Sequence, residues 1–411
     1  MQKTLQEGGA QRTSRRSWRE WLVVAEVALA LPLLIGAGLL LNSFIRVLRV
    51  PSGVEAEQIL VAELNLPPAK YGEPARAAAF FAELAQRVAA LPGVTAASYS
   101  TRPILSGRSS NDPFMIEGRP MDIKQPNFAG WQRIAPDYFR TLGILLLAGR
   151  DFTASDNPTG DNASTPVALI NEALAQRYFP TGDALGQRIS VGIPNPKNPY
   201  ATIIGVVKDI PHSTLESPAK PEIFLPYARQ PHLTAHFYVR VTGKPSSFAS
   251  AIRQTVLTID PDQPVKSIQP MKTVIATTLA PRRFTTGLLG SFALLALVLA
   301  ALGIYSINAY AVAQRTQEIG IRMALGAQVR DVLRLILQRG LRLVWVGLAL
   351  GLVLSLAVTR TLKSLLFNVS ATDPLTFVGV ALLLAAVALL ACWVPARRAA
   401  RVDPMIELRH E

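Results

Sequence analysis

Four apolar runs decide what this chain can fold into. Crossing a bilayer as a helix takes roughly 20 apolar residues, and Leu22–Leu41 meets that length, interrupted only by Glu26 and Pro32. Leu288–Val312 (LLGSFALLALVLAALGIYSINAYAV) follows, then Leu343–Val358 and Phe377–Val394. The third run is short by apolar residues alone, and it extends through Thr359–Leu366 if Arg360 and Lys363 snorkel outward. In lipid every backbone amide must be paired within the structure, so helices are the expected form. With 50% hydrophobic and 17% charged residues, the chain is too apolar for an ordinary soluble enzyme and too polar for spans alone. The expected class is a membrane protein: four transmembrane α-helices with a large α+β extracytoplasmic domain between helices 1 and 2.

The first run is read as an uncleaved anchor rather than a signal peptide. Arg12, Arg15, Arg16 and Arg19 precede it, but it is longer than a typical h-region and lacks a clear small-x-small cleavage site. A formal net charge of +14 raises the question of nucleic acid. The basic residues instead cluster beside the apolar runs with no aromatic interleaving, which argues against that partner. Lys3 and the four arginines precede helix 1. Arg315, Arg322, Arg330, Arg334, Arg339 and Arg342 follow helix 2, and Arg397, Arg398, Arg401 and Arg409 follow helix 4. With four spans these segments share one side, and the positive-inside rule makes it cytoplasmic, both termini included.

The expected divisions are a cytoplasmic tail (1–20), transmembrane helix 1 (21–48), the outer domain (49–281) and helix 2 (282–313). A cytoplasmic coupling loop with an amphipathic helix (314–342), helix 3 (343–366), helix 4 (374–394) and a cytoplasmic tail (395–411) complete them. The single cysteine, Cys392, lies in an apolar run, so the outer domain must be stable through its core alone. Gln58–Asn65 alternates like a strand, Pro74–Leu91 has helical spacing, and Val94–Thr101 returns as a strand. Ala235–Val241, Phe248–Ile259 and Val265–Ile268 repeat strand, helix, strand, which suggests a split ferredoxin-like module. Residues 130–230 read as a smaller β-rich module inserted into the first, and Met271–Arg283 as a helix leading into helix 2.

Catalytic and metal chemistry is hard to place on this chain. There is no GxxxxGK[ST] loop, and Gly243-Lys244 lacks the leading glycine and follows a strand. His212, His232, His236 and His410 show no metal spacing; Pro231 and the strand beyond keep His232 and His236 off one helix. Gly-x-Ser-x-Gly is absent. No cofactor and no metal is expected in this chain. Glu26, inside the first span, must pair, protonate or face a polar interior. Two readings stand: a transport-related group, or a carboxylate one turn from the boundary that reaches headgroup water or Arg19. Gly347-x-x-x-Gly351 permits close helix approach and is read as packing, with Ala296/Ala300 and Ala381/Ala385 as further small pairs.

The segment RTQEIGIRMALGA (315–327) lies between two spans, punctuated by Gly320 and Gly326. Beyond it Val329, Val332, Leu333 and Ile336 share one face, while Arg330, Arg334 and Gln338 occupy another. This cationic amphipathic helix is expected to lie along the inner surface before turning into helix 3. Periodicity leaves two roles open, a helix resting on anionic headgroups and a docking element for a cytoplasmic partner.

RTQEIGIRMALGA followed by VRDVLRLIL resembles the loop after the second span of FtsX-like permease domains. VPARRAARVDPMIELRHE (394–411) is similar to that family's terminal pattern in Pro395, Arg397, Arg398, Asp403 and Pro404, giving an FtsX-like permease domain over 282–405. YFRTLGILLLAGRDF and IIGVVKDI resemble the MacB-like periplasmic core domain, which the outer domain is taken to be. TLQEGGAQRTSRRSWREWLVVAEVALALPLLIGAGLLLNSF is similar to the junction that opens the second half of acidobacterial-type duplicated permeases. Those have two such modules and this chain has one, so the resemblance implies either a separated half or a product truncated at its start.

The resemblance implies a bacterial inner-membrane subunit of an ABC system that passes the motion of a cytoplasmic ATPase to the periplasmic domain. ATP enters through that partner, and the contact would be Glu318, Ile319, Gly320, Ile321, Arg322 and Gly326. A second permease module (a homodimer or a paired half), membrane lipid and a periplasmic protein are the other implied partners. The substrate class would be a hydrophobic molecule, a peptide or a lipoprotein. The alternatives are a non-transporting coupler that regulates a periplasmic hydrolase, and a membrane-anchored binding or scaffold protein.

Overall fold

The computed structural model describes residues 2–50, 53–105, 111–120, 124, 126–156, 165–195, 198–210, 219–314 and 329–399. The chain divides into two compact units, Met1–Arg49 with Pro281–Glu411, and Val50–Ala280.

Helix α1 (Gln2–Leu48) opens the first unit and runs unbroken from the basic segment into the apolar run. The second unit then begins with β1 (Ile59–Asn65), α2 (Pro68–Tyr71), α3 (Pro74–Ala89) and β2 (Val94–Ser100). It continues with β3 (Asp112–Ile116), β4 (Phe128–Ile134), α4 (Tyr138–Leu142), β5 (Leu146–Gly149), β6 (Val167–Asn171) and α5 (Glu172–Tyr178). Then come β7 (Arg188–Val191), β8 (Ala201–Val207), β9 (Glu222–Pro226), β10 (Thr234–Val241), α6 (Ala249–Ile259), β11 (Val265–Pro270) and α7 (Met271–Thr278).

One end of this unit is an antiparallel sheet in the order β11-β1-β10-β2. Its helices form where the apolar spacing is helical: Phe80, Phe81, Leu84 and Val88 of α3, with Ile252 and Val256 of α6, close over Leu60, Ala62, Leu64, Phe237 and Val239. Tyr99, Tyr227, Phe81 and Phe237 add edge and stacked ring contacts at this core. Asp260, just past α6, is buried and accepts from Tyr71 Oη at 2.8 Å and Lys70 Nζ at 2.6 Å, which ties α2 to the end of α6. These two donors, Lys70 first, hold its carboxyl below the usual carboxylate range.

At the other end, β4-β3-β7-β8-β6-β9 pair in sequence, and β9 returns to β4. The six strands thus close into a ring, with β5 added alongside β8. Phe114, Ile116, Ala168, Ile170, Ile189, Ile203 and Ile223 belong to its core. Strand β4 joins both ends, since Ile134 pairs with Ser100 of β2.

Beside the ring, Arg150 grips Asp156 through both terminal nitrogens, at 2.5 and 2.9 Å. That pairing, with help from Thr153, drives the Asp156 carboxyl far below its ordinary value. Asp151 goes the other way. Burial, reinforced by the negative Asp137, pushes its carboxyl up to about 6 against the opposing Phe152 N–H. The unfolded value is roughly 3.9. The native fold therefore prefers protonated Asp151, and this contribution is present below about pH 4 and lost as pH rises through about 6. We expect Asp151→Asn to raise the unfolding free energy by about 1–2 kcal/mol at pH 7.5, allowing for solvent screening. Denaturant titration at pH 7.5 and pH 4 measures it; an equal effect at both pH values would contradict the assignment.

The first unit resumes with α8 (Ala280–Ala313), α9 (Val329–Thr361) and α10 (Pro374–Ala399). Four of its helical stretches are long and apolar enough to cross a membrane: Glu20–Leu48, Ala280–Ala313, Gly340–Thr361 and Pro374–Pro395.

Three local expectations need correction. Met271–Arg283 is two helices, α7 ending at Thr278 and α8 starting at Ala280, because Pro281 has no N–H to continue the ladder and suits a first helical turn. The amphipathic stretch beyond Val329 does not turn before helix 3, since α9 is continuous from Val329 to Thr361 and Gly340 lies within it. That helix also stops short of Leu366, giving way to a 3-10 turn over Leu362–Leu365. Arg282 takes the freed Leu365 carbonyl at 2.8 Å.

Candidate functional site

The described part of the candidate site is the packed centre of the helical unit. Helix α1 lies along α9, and the contact rests on small residues of α9. An added Cβ at Gly347 would stand 2.8 Å from Val27 Cβ and 3.2 Å from the Val24 carbonyl oxygen. At Gly351 it would stand 3.0 Å from Leu31 Cβ and 3.1 Å from the Ala28 oxygen. Pro32 of α1 has no N–H for that Ala28 carbonyl. The bare Gly351 backbone therefore approaches α1 at the place where its own ladder is interrupted. Ser355 and Thr359 extend the same four-residue spacing and are fully buried, with Ser355 Oγ donating to the Gly351 carbonyl at 2.6 Å. The sequence signal for these two was the continued small-residue spacing past Gly351.

Glu26 is half-buried and faces α8. Its Oε2 occupies the space that a Cβ on Gly303 would need, and this oxygen is buried without a hydrogen-bond partner. Gly303 thus makes room for a carboxylate between two apolar helices. Such a group is costly in lipid and stays where the fold leaves no way out.

Two polar clusters pin the ends of the helices. Asn308 of α8 donates through Nδ2 to the Ile304 carbonyl at 2.8 Å and to Cys392 Sγ of α10 at 3.3 Å. Gly340 of α9 fits against both, since a Cβ there would lie 2.7 Å from Cys392 Sγ and 3.0 Å from Asn308 Oδ1. Three helices thus meet at one buried amide. The sequence offered one sign of it, an asparagine inside an apolar run. At the opposite ends, Arg282 Nη2 donates to Ser43 Oγ at 2.6 Å, and Ser43 Oγ in turn accepts from the Phe367 N–H at 2.8 Å. Arg46 reaches the Asn368 carbonyl. Together these join α1, α8 and the segment after α9.

Glu318, Ile319, Gly320, Ile321, Arg322 and Gly326 lie outside the described residues, in the interval between Ala313 of α8 and Val329 of α9. His212 and His410 do so too. His236 is in β10 and His232 precedes that strand, and among the described residues no group of acidic, histidine or cysteine side chains is arranged to hold a metal ion.

Comparison with known proteins covers both units. The model of the FtsX-like permease C-terminal domain matches residues 290–404. The model of the MacB-like periplasmic core domain matches residues 34–268. Among curated proteins, the macrolide export ATP-binding/permease protein MacB of Shigella sonnei is 29% identical over 298 residues, covering 68% of this chain and 43% of the relative. Its counterpart in Escherichia coli (strain K12) is 28% identical over the same length and coverage. The chain therefore spans less than half the length of the curated relatives it matches. Among solved structures, the periplasmic region of MacB from Actinobacillus actinomycetemcomitans aligns with a TM-score of 0.38 and 15% identity, over 56% of this chain and 97% of that one. The extracellular domain of the transporter YknZ from Gram-positive bacteria aligns with a TM-score of 0.32 and 13% identity, over 51% and 100%. With one model matching more than half of its length and the other matching its last three helices, the chain belongs to the ABC transporter permease family that joins a MacB-like periplasmic core domain to an FtsX-like permease domain.

Proposed function

We propose that this protein is the permease subunit of an ABC-type system and transmits the motion of a cytoplasmic ATPase to its outer unit. One observation carries the reading. A large α+β unit with its own core is inserted between the first and second of four apolar helices, and the two family models fall on the two units. The outer unit is read as the periplasmic core domain, its four-stranded end as a split ferredoxin-like module and its six-stranded ring as the inserted module. The order β11-β1-β10-β2 with helices α3 and α6 supports this. The arginine-rich segments support a topology with both termini and residues 314–342 on the cytoplasmic side of the bacterial inner membrane.

In this reading Glu318, Ile319, Gly320, Ile321, Arg322 and Gly326 form the ATPase contact, and ATP is bound by that partner. Helix α9 begins directly after this segment and carries the Gly347–Gly351 seam to α1, a direct route from the contact into the helical unit. A second permease module, supplied as a homodimer or a paired half, completes the assembly within the lipid. The substrate is a hydrophobic molecule, a peptide or a lipoprotein exported or extracted from the membrane; export fits the MacB relatives, which are macrolide export proteins.

The test is ATPase stimulation in vesicles, with the ATPase that co-purifies with this chain. Gly320→Leu and Arg322→Glu are expected to reduce stimulation at least about tenfold while the chain stays inserted and folded. A bulky side chain obstructs a close backbone approach, and charge reversal turns a charge-assisted hydrogen bond into repulsion. Arg330→Glu and Arg334→Glu should cost only a small loss of surface attraction. Equal, mild effects at all three arginines would leave headgroup binding as the role of this segment.

A further inference from the structure

The outer unit carries two arginines against one indole ring, and among the described residues neither has a carboxylate partner. Arg133 lies in β4 and Arg102 just beyond β2. Their guanidinium carbons are 4.7 and 5.2 Å from the centroid of the Trp131 ring. Arg133 is 8% exposed, the depth at which an arginine is almost always ion-paired. Among the described residues its side-chain hydrogen bond runs to Gln230 Oε1, a neutral acceptor.

The backbone holds the arrangement. The Thr101 N–H donates to the Arg133 carbonyl at 2.9 Å, and the Arg133 N–H donates to Thr101 Oγ1 at 3.2 Å. The carboxylate close by, Asp112, accepts from Trp131 Nε1 at 2.6 Å and so fixes the ring. The fold thus brings two like charges near one ring, Arg133 from β4 and Arg102 from just past β2, and uses the neighbouring acid for something else.

The electrostatics agree with the geometry. Burial, and then the charge of Arg102, lower Arg133 to about 10. His232, whose ring Nδ1 is 3.1 Å from the Gln230 carbonyl, is also lowered, by burial first and then by both arginines. A second cation beside a desolvated first one is unfavourable unless an anion joins them. Trp131 and Arg102 are half-buried and Gln230 and His232 exposed, so the charged side of the cluster is open to solvent.

We propose that Arg102, Arg133 and Trp131, with Gln230 and His232 at the rim, form a binding site for one oxyanion group, a carboxylate or a phosphate. Two forked guanidinium groups provide the paired N–H donors that such a group accepts. Both guanidinium groups rest against the Trp131 ring, a cation–π contact that helps to hold them. The anion can be free in solution or be the C-terminal carboxylate of a peptide; the chemistry recognised is the same.

The test uses the full chain in a non-ionic detergent, with chloride added to keep ionic strength constant. Equilibrium dialysis with labelled inorganic phosphate should show one saturable site per chain. Arg102→Gln, at a half-buried position that tolerates the change, should weaken binding at least about tenfold. It should also raise the melting temperature of the anion-free protein, because it removes the like charge beside Arg133. Arg76→Gln, which alters only an exposed pair with Glu73, should leave binding unchanged. Displacement of phosphate by acetate and by an acetylated dipeptide acid, but not by its amide, would assign a carboxylate. Stronger displacement by the dipeptide acid than by acetate would identify the peptide source. Absence of saturable phosphate binding, or equal binding by Arg102→Gln and the unmodified chain, would overturn the proposal.

Discussion

Gly149→Ala is expected to lower the unfolding free energy of the unit Val50–Ala280 by about 3–4 kcal/mol, a large part of the 5–15 kcal/mol typical of a domain. Gly149 ends β5 with φ at +77°. An L-residue pays roughly 1–2 kcal/mol to adopt that conformation. Space adds a second cost. A Cβ at 149 would overlap the Ile204 carbonyl oxygen and stand 2.8 Å from Gly205 Cα. The obstructing atoms are backbone, so no rotamer change relieves them. They are also held in place, because the Arg150 N–H donates to that same Ile204 oxygen at 3.0 Å. Gly205 pairs with Gly149 and would meet the Arg150 oxygen at 2.6 Å if it carried a Cβ. Two glycines therefore let β5 and β8 touch, and overpacking there costs about 1–3 kcal/mol more. Gly182 separates the two costs. Its φ is +79°, but nothing lies within 4 Å of an added Cβ, so Gly182→Ala should show only the conformational part. Denaturant unfolding of the full chain followed by circular dichroism measures both. Equal losses would mean that the β5–β8 contact yields without cost.

The contrast between these two glycines shows what the sequence could reveal. Gly149 ends a strand and Gly182 stands in a polar turn, but no local pattern says what an added Cβ would meet, because the obstruction at Gly149 is a strand more than 50 residues away. Local apolar patterning did reveal β1, α3 and β2, and again β10, α6 and β11. The closed ring was read only as a β-rich insert. Its strands pair at long range, and β6–β8 and β4–β9 run parallel. Those pairings leave no turn signature between partners. Arg133 escaped notice for a related reason. Strand β4 is covered on both faces over Gln132–Ile134, so alternation does not predict which residue is buried. Among the helices, length and apolarity were enough to find the four stretches capable of crossing a membrane. The partners of Glu26, Asn308 and Gly351 depend on how those helices rotate against one another, which composition does not encode.

Gly347→Leu and Gly351→Leu should each disrupt the helical unit, with an expected loss of about 3–5 kcal/mol. Lipid gives no hydrophobic driving force between helices, so α1 and α9 associate through close van der Waals contact and small residues. The contact is already at its limit: a Cβ alone at 347 comes within 2.8 Å of Val27 Cβ and Cγ1, and one at 351 within 3.0 Å of Leu31 Cβ. Three further carbons can be accommodated only by moving α1 away. That would open the packing of Val27, Leu31, Val344 and Leu348, all buried and all in one core. Cavities and lost contacts of this size cost several kcal/mol. Gly379 of α10 is the control, since nothing lies within 4 Å of an added Cβ, and Gly379→Leu should stay within about 0.5 kcal/mol. Unfolding of the full chain in mixed micelles, read by loss of helical signal and by protease resistance, measures all three. The seam also bears on the proposed transmission. If motion passes from the segment before α9 into α1, Gly351→Ala should reduce ATPase stimulation more than it reduces stability, because it stiffens the seam at the carbonyl left open by Pro32. A Gly351→Ala chain with full stimulation would remove the α1–α9 seam from that route, and three leucine variants of equal stability would remove the seam itself.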